Sequence, residues 1–314
     1  MCSLFGLIDY QNALTTRQKN RILQVLGKEC EVRGTDATGI AYNFSGSIKV
    51  YKRPLAAHKL KFHVPNGVSV VMGHTRLATQ GKPADNFNNH PWSTSSFALA
   101  HNGVLWNDKE LRQTEKLPDT HIQTDSYVAV QLLEQQKTLD FTTISAMAEK
   151  IQGSFVFTVL DRDDNLYFVR GDNPLAIFDF GGFYLYASTE EILRRAMRKL
   201  RLHRRETVRT EEGDILKIDR AGQCSFGHFN PNHSFQHFWR NPRFRMLSWF
   251  DEADDPEAID SQTDLLIQTA KSMGVSEDEV LALLDLGYDP CEIEELLYNP
   301  ALLHEAAAEL LYAY

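Results

Sequence analysis

Residues 2–9 read CSLFGLID, an apolar run that predicts a buried β-strand with a thiol at its start. Met1 precedes Cys2, and an initiator methionine is generally removed before a small residue, so we expect Cys2 to become the first residue. Its α-amine would titrate near about 7.7–8.0 and its thiol near about 8.5, so the amine can accept the thiol proton. Enzymes with an N-terminal nucleophile use this arrangement. The alternative is that Cys2 is only a small buried residue where a strand begins.

Composition and charge exclude several classes of protein. The 314 residues are 43% hydrophobic and 24% charged, as in ordinary folded proteins, and suffice for a large domain with an appendage. A formal net charge of −9 argues against a general nucleic-acid binder. The sequence shows neither a bilayer-spanning apolar run nor a secretory signal, so we expect a cytoplasmic protein without a membrane partner.

The four cysteines point to no metal or disulfide framework. They lie far apart, form no Cys-x-x-Cys pair, and are not combined with histidines at the spacing of a zinc site; they are Cys2, Cys30, Cys224 and Cys291. We therefore expect neither a metal nor another cofactor, and a reducing compartment.

The hydrophobic periodicity predicts an α+β protein. Helical spacing occurs at residues 16–27, 125–135, 142–151 and 190–200. Strand-like runs occur at 2–9, 39–43, 48–52, 68–73, 97–100, 154–161, 166–170, 176–180, 183–187, 214–218 and 224–226. Because the helices come in groups among many strands instead of alternating with them, the pattern favours α+β layers over a doubly wound sheet.

A change in composition predicts three regions. Residues 2–230 form the α+β domain, residues 231–257 an aromatic and then acidic junction, and residues 258–314 a helical region of unknown role. The six aromatic residues of the junction are too many to leave in water, so we expect them to pack at the domain boundary or in an oligomer interface. They are Phe235, Phe238, Trp239, Phe244, Trp249 and Phe250.

Four polar segments can carry chemistry alongside Cys2. They are RGTDATG at 33–39, GHTRLAT at 73–79, HNG at 101–103 and TDS at 124–126. Arg76 follows an apolar strand, where side chains reach into a cleft, and Asp125 opens a helix, where an anion is favoured. The HNG segment follows the strand at 97–100. Taken singly, Arg76 could be a surface charge, Asn102-Gly103 a turn, and Asp125 a helix cap.

Together these segments resemble the glutaminase domain of class II glutamine amidotransferases, which are N-terminal nucleophile hydrolases. The resemblance runs in order over about two thirds of the chain and is closest to the glucosamine-6-phosphate synthase and amidophosphoribosyltransferase branches. Its matches are Cys2 and residues 33–39, 73–79, 89–91, 101–103 and 124–125. The resemblance implies a four-layer αββα sandwich, with Cys2 at the end of a strand in one of two facing antiparallel sheets.

The resemblance implies a catalytic set and a substrate, L-glutamine. Cys2 would attack the side-chain amide, while the Asn102 side chain and the Gly103 backbone N–H would form the oxyanion hole. Arg76 would bind the α-carboxylate and Asp125 the α-ammonium, and Thr79 would line the pocket. Three further residues would support the surrounding loops: Arg33, His90 and His101.

Two features concern the acceptor of the ammonia. Leu77 and Gln80 stand where the synthase branch often has an aromatic residue and a histidine. Residues 230–314 are too few for a sugar isomerase, phosphoribosyltransferase or synthetase domain, so we expect an ammonia-accepting partner enzyme and a homo- or hetero-oligomer. Two alternatives stay open: a hydrolase of another γ-glutamyl or amino-acid amide, and a non-catalytic glutamine-sensing subunit.

Overall fold

The computed structural model describes residues 2–136 and 138–232, and, nearer the C-terminus, residues 266–267, 270–271, 274–285, 288, 293, 296–297, 303–304 and 307–308. The strands are β1 Ser3–Ile8, β2 Ala37–Phe44, β3 Ser47–Arg53, β4 Val70–Arg76, β5 Trp92–Ser93, β6 Phe97–Leu105, β7 Gly153–Asp161, β8 Leu166–Arg170, β9 Ala176–Asp179, β10 Tyr184–Ala187, β11 Glu206–Val208, β12 Asp214–Ile218 and β13 Cys224–His228. The helices are α1 Thr16–Glu29, α2 Asp108–Thr114, α3 Tyr127–Glu134, α4 Phe141–Lys150, α5 Glu190–Leu200 and α6 Glu277–Asp285.

The strands form two antiparallel sheets. One has seven strands in the order β11-β9-β10-β1-β4-β2-β3, and the other has six in the order β13-β12-β8-β7-β6-β5. β1 is central in the larger sheet, paired with β10 on one side and β4 on the other. All six residues of β1 are buried, so the segment that follows Cys2 is held on both edges and both faces. A chain terminus that would otherwise fray is thereby fixed.

Three apolar clusters define four layers. One lies between the seven-stranded sheet and helices α1 and α5, and includes Phe5 and Leu193. The second lies between the two sheets and includes Leu4 and Phe168. The third lies between the six-stranded sheet and helices α2, α3 and α4, and includes Ile144. The order helix, sheet, sheet, helix confirms the predicted αββα sandwich.

The sequence-based strands and helices hold with small shifts of their ends, except at one place that concerns the site. The prediction ended a strand at Ala100 and placed the HNG segment after it. In the structure β6 continues through Gly103 to Leu105, and pairs along its whole length with β7. The pairing partner is about fifty residues away in sequence, so local turn signals cannot reveal it. Strands β5 and β11 and helix α2 were not predicted.

The chain divides into two compact units, Met1–Arg245 and Met246–Tyr314. In the second unit the described residues include α6 and an apolar cluster, so this region has a helical core of its own. The predicted aromatic residues at 235–250 lie outside the described residues, and the boundaries 2–230, 231–257 and 258–314 stay predictions. Within the described part of the chain, no helix is long and apolar enough to cross a membrane.

Candidate functional site

On three strands, the side chains that face the opposite sheet change from apolar to polar at one end. Alternate residues of a strand lie on the same face, so the pattern can be followed from the clustered core residues. These inner positions are Cys2, Leu4 and Ile8 along β1, Val70, Met72, His74 and Arg76 along β4, and Ala98, Ala100 and Asn102 along β6. The polar ends meet where the apolar layer between the sheets stops, and this places the candidate site there.

Cys2 lies beside Arg76. The antiparallel register pairs Ser3 with Thr75, which brings the preceding residue next to the end of β4. The Cys2 thiol donates to the carbonyl of Leu77 with Sγ and oxygen 3.4 Å apart, and Arg33 Nε donates to the carbonyl of Cys2 at 3.0 Å. Burial raises the pKa of the Cys2 thiol, the charge of Arg76 lowers it, and the charge of Asp125 raises it. The thiol is therefore within electrostatic reach of both charged candidates.

The turn at 33–36 holds the segment after Arg76 against Cys2. Gly34 lies so close to the peptide joining Arg76 and Leu77 that a Cβ there would be 2.5 Å from its backbone atoms. The N–H of Asp36 donates to the carbonyl of Arg76 at 2.9 Å, and the N–H of Ala78 donates to Asp36 Oδ2 at 2.8 Å. Together with the bond from Arg33, this turn fixes the backbone on both sides of the thiol. The supporting role of Arg33 stays a prediction.

Asn102 presents a buried amide group that has no partner. It is 0% exposed, and neither Oδ1 nor Nδ2 has a hydrogen-bond partner among the residues that the structure describes. A buried polar group left unsatisfied costs about 1–3 kcal/mol, so such groups mark positions where something else binds. The amide lies at the polar end of β6, on the face that looks toward β1. An oxyanion formed beside Cys2 could accept a hydrogen bond from Nδ2 of this amide.

Gly103 can only be glycine. Its φ of +143° is a backbone conformation that residues with a side chain rarely adopt. A Cβ there would lie 1.8 Å from the carbonyl oxygen of Ser154 and 2.7 Å from Asn173 Nδ2. The N–H of this residue is the second donor of the oxyanion hole that the resemblance implies, and its role there stays a prediction.

Arg76 is buried and already engaged. It is 1% exposed, and Nη1 donates to Asn89 Oδ1 at 2.8 Å. Nη2 donates to the carbonyl of Gly81 at 3.0 Å and to that of Gln80. The guanidinium predicted to bind a carboxylate therefore holds the 80–81 segment in this structure. Gln80 accepts from Arg76, and Leu77 accepts from the Cys2 thiol, through their backbone carbonyls. Both contacts are independent of the side chains by which these two residues depart from the synthase branch.

Asp125 is also buried, at 2% exposure, and lies just before α3 instead of inside it. Its Oδ2 accepts a hydrogen bond from the N–H of Leu105 at 2.6 Å, which joins it to the end of β6. Ser126 Oγ donates to Oδ1 at 3.4 Å. The carboxylate is thus fixed beside the strand that carries Asn102. Thr79, in contrast, is exposed in this structure, and its predicted place in the substrate pocket stays untested.

Three buried histidines connect these elements. His74 Nε2 donates to the carbonyl of His101 at 2.9 Å and so joins β4 to β6 across the layer between the sheets. The ring centroids of His74 and His90 are 4.2 Å apart, and His90 Nε2 lies 3.3 Å from Ser126 Oγ. The ring of His101 stacks on Phe157 at 4.7 Å. His90 and His101 thus connect elements around the candidate site, and their supporting role there stays a prediction.

Burial keeps the three histidines neutral and predicts acid sensitivity. It lowers the pKa of His74 to about 3 and of His101 to about 4, and lowers the pKa of His90 well below its usual value. In the unfolded chain each titrates near about 6.5, so below that pH the unfolded state binds protons that the folded state does not. Stability should therefore fall as the pH drops. We expect the N-terminal unit to lose about 2 kcal/mol per histidine between pH 7 and 5.

Urea unfolding at pH 7 and pH 5 measures this loss of stability. The number of protons taken up on unfolding at pH 5 shows whether the three histidines cause it. Nearly three protons should be taken up beyond those of the carboxylates. Equal free energies of unfolding at the two pH values would contradict the neutral state of the cluster.

Two residues of the framework were not singled out from the sequence. Asn89 accepts from Arg76 and donates through Nδ2 to the carbonyl of Pro83 at 2.8 Å. Lys52 Nζ donates to the carbonyl of Asn89, and burial together with the charge of Arg76 lowers the pKa of Lys52 to about 8. Asn89 stands next to His90 in a segment that the resemblance included, whereas nothing in the sequence near Lys52 indicates its contact. Among the described residues, no group of three or more His, Cys, Asp or Glu side chains could hold a metal ion.

The similarity to known proteins covers the N-terminal unit. Residues 74–195 match the family model described as a glutamine amidotransferase domain. The glutamine–fructose-6-phosphate aminotransferase of Bacillus thuringiensis subsp. konkukian is 35% identical over 199 residues, which are 60% of this chain and 32% of that protein. The enzyme of the same name from Lactococcus lactis subsp. lactis is 29% identical over 236 residues, 71% of this chain and 38% of that one.

The fold has relatives among solved structures. The glutamine phosphoribosylpyrophosphate amidotransferase from B. subtilis, complexed with ADP and GMP, superposes with a TM-score of 0.57 at 22% identity, covering 74% of this chain and 50% of that one. At this identity the likeness concerns the fold. The chain spans about a third of the length of the curated relatives named above, 32% and 38% respectively.

Proposed function

Since this chain carries a class II glutamine amidotransferase domain of the N-terminal nucleophile type, we propose that it hydrolyses the side-chain amide of L-glutamine to glutamate and ammonia. The observation that carries the proposal is the unpartnered amide of Asn102, buried at the end of the layer where Cys2, Arg76 and Asp125 also lie. A thiol, a cation, an anion and an amide donor together match the groups of glutamine and of its tetrahedral intermediate.

The reaction begins with removal of the thiol proton. Burial raises the pKa of Cys2, so little thiolate forms spontaneously at neutral pH and a base is needed. The α-amine of Cys2 would supply it once Met1 has been removed. The thiolate then attacks the amide carbon of glutamine, and the electron pair of the C=O bond moves onto oxygen. The negative oxygen is stabilised by Asn102 Nδ2 and the N–H of Gly103.

Collapse of this intermediate breaks the C–N bond. The departing nitrogen takes the proton held by the α-amine and leaves as ammonia, while a γ-glutamyl thioester remains on Cys2. Water, deprotonated by the same amine, attacks the thioester through a second tetrahedral oxyanion. The C–S bond breaks, the sulfur is reprotonated, and glutamate leaves. Each of the two steps uses the same donors, and no electron transfer is involved.

The head group of glutamine would bind between Asp125 and Arg76. The carboxylate of Asp125 is a counter-charge for the α-ammonium, and the guanidinium of Arg76 for the α-carboxylate. Because Arg76 now donates to the carbonyls of Gln80 and Gly81, the substrate carboxylate would replace at least one of these contacts. Thr79 lies in the segment that would then move. Arg33, His90 and His101 would hold the backbone around the pocket.

The destination of the ammonia is a separate proposal. The curated relatives carry aminotransferase names and are about three times as long as the matched part, at 32% coverage of the first. We infer that the ammonia passes to an acceptor reaction on a partner protein, within an assembly of like or unlike subunits. If no such partner exists, the chain is a simple glutaminase.

A panel of amides tests the proposal against its two alternatives. Glutamate and amine release should be measured with L-glutamine, D-glutamine, L-asparagine and γ-glutamyl amides of larger amines, using protein whose Cys2 α-amine is free. We expect L-glutamine to have the highest kcat/KM. A tenfold preference for a larger γ-glutamyl amide would favour a hydrolase of that class. Binding of L-glutamine without hydrolysis would favour a sensing subunit.

A further inference from the structure

Asn173 contacts the backbone of the peptide that joins Asn102 and Gly103. It lies between β8 and β9 and is 8% exposed. Its Nδ2 donates to the carbonyl oxygen of Asn102 at 3.1 Å. That carbonyl and the N–H of Gly103 belong to one peptide group. No sequence motif or predicted role drew attention to Asn173.

We propose that Asn173 is a positioning residue of the glutaminase site, which orients the peptide between Asn102 and Gly103 and thereby both donors of the oxyanion hole. The inference rests on the proposed function. Asn173 itself touches neither the substrate nor the thiol; it would act through the peptide that it holds.

The planarity of the peptide bond makes this action effective. With the carbonyl oxygen of Asn102 fixed, the direction of the Gly103 N–H on the opposite side of the same plane is fixed as well. A hydrogen bond to the oxygen also polarises the group, which makes its N–H a stronger donor. The same peptide carries the Cα of Asn102, from which the side-chain amide projects.

Glycine at 103 and asparagine at 173 fit one another. A Cβ on Gly103 would come within 2.7 Å of Asn173 Nδ2, so the side chain of Asn173 occupies the space that the glycine leaves open. The positive φ of Gly103 turns this peptide relative to regular β-strand geometry. A residue that donates to the turned carbonyl stabilises that orientation.

The segment that carries Asn173 is clamped to the strand beside Gly103. Phe155 of β7 pairs with Gly103. The N–H of Phe155 donates to Asp172 Oδ1 at 3.0 Å, and the N–H of Gly171 donates to the carbonyl of Phe155 at 3.0 Å. Arg170 Nη1 donates to the carbonyl of Asn173. The donor and its target are thus attached to the same pair of strands, which gives Asn173 a rigid base.

The test compares Asn173→Ala and Asn173→Asp with wild type and with Asn43→Ala. Asn43 makes a bond of the same kind, from Nδ2 to the carbonyl of Asp161 at 2.7 Å, near the other ends of β2 and β7. The aspartate keeps the shape of Asn173 but cannot donate. We expect kcat for L-glutamine hydrolysis to fall about 10- to 100-fold in both Asn173 variants, because small misplacements of catalytic groups have effects of this size. KM should change less than threefold.

Asn43→Ala should keep wild-type kcat. Its melting temperature measures what losing the two hydrogen bonds of this asparagine, to the carbonyl of Asp161 and to Asp164 Oδ1, does to the fold. The inference is contradicted if both Asn173 variants retain kcat within twofold of wild type, or if kcat falls only with the folded fraction. It is also contradicted if KM rises while kcat stays constant. Absence of glutamate release by wild-type protein with a free Cys2 amine contradicts the proposed function, and the inference with it.

Discussion

Replacing Cys2 with alanine is expected to lower glutamate release from L-glutamine by about 10⁴-fold or more, because the covalent route is then closed. The fold should be unaffected. Cys2 precedes β1 and its thiol makes one hydrogen bond, to the carbonyl of Leu77 at 3.4 Å, so its loss removes little stabilising energy. Steady-state release of glutamate and urea unfolding of the same preparation measure the two quantities.

Cys224→Ala is the matched control. This thiol is exposed, lies on β13, and faces a tyrosine hydroxyl 4.0 Å away, so its removal should leave kcat and KM unchanged. Cys30 is a poorer control because it is fully buried, and burial raises its pKa to about 12. A Cys2→Ala protein that keeps a tenth or more of wild-type activity would contradict a nucleophilic role for Cys2.

Replacing Asn102 with leucine is expected to separate activity from stability. Loss of one oxyanion donor lowers kcat by about 10²- to 10³-fold, with little change in KM. In the folded protein, however, the amide makes no hydrogen bond with the residues that the structure describes. Replacing an unsatisfied buried amide by an apolar side chain of similar size removes a desolvation cost, so the free energy of unfolding should stay the same or rise by about 1 kcal/mol. Activity assays and urea unfolding test both halves.

Asn107→Leu provides the opposite case. Asn107 is also buried, at 7% exposure, but its Nδ2 donates to the carbonyl of Lys150 at 2.9 Å and its Oδ1 accepts from Gln152 at 3.0 Å. Its replacement should lower the free energy of unfolding and leave kcat unchanged. If Asn102→Leu instead destabilises the protein while kcat stays near the wild-type value, the amide is structural and the oxyanion assignment is wrong.

The alternation of apolar residues is local information, so it was sufficient for most strands and helices and for the α+β class, whereas the four-layer αββα order was implied by the resemblance to a family. The sequence of a run such as Val70–Arg76 indicates a strand. It also indicates where the side chains that face the opposite sheet change from apolar to polar. The local pattern failed at Asn102-Gly103, where a common turn dipeptide lies within a strand. That strand is held by pairing with β7, and the carbonyl of Asn102 accepts a hydrogen bond from the distant Asn173.

The hydrogen-bond partners that could not be predicted from the sequence are contacts between residues far apart in the chain. The partners of Arg76 at Asn89 and the 80–81 segment depend on how a loop returns to β4. The bonds from Lys52 to Asn89 and from Asn173 to Asn102 join residues about forty and seventy positions apart. No periodicity or motif encodes such pairs, whereas the resemblance to a family singled out the thiol, Asn102 and both charged groups as candidates.

The central claim is that Cys2 works as an N-terminal residue, with its own amine as the base. The direct test is to produce the chain with an N-terminal extension that a protease can remove, so that Cys2 becomes the first residue. L-Glutamine hydrolysis is assayed with the extended and with the cleaved protein, and intact-mass spectrometry measures the fraction of chains that begin at Cys2. We predict no glutamate release before cleavage and a rate proportional to the fraction of chains that begin at Cys2. Equal rates for extended and cleaved protein would contradict the account.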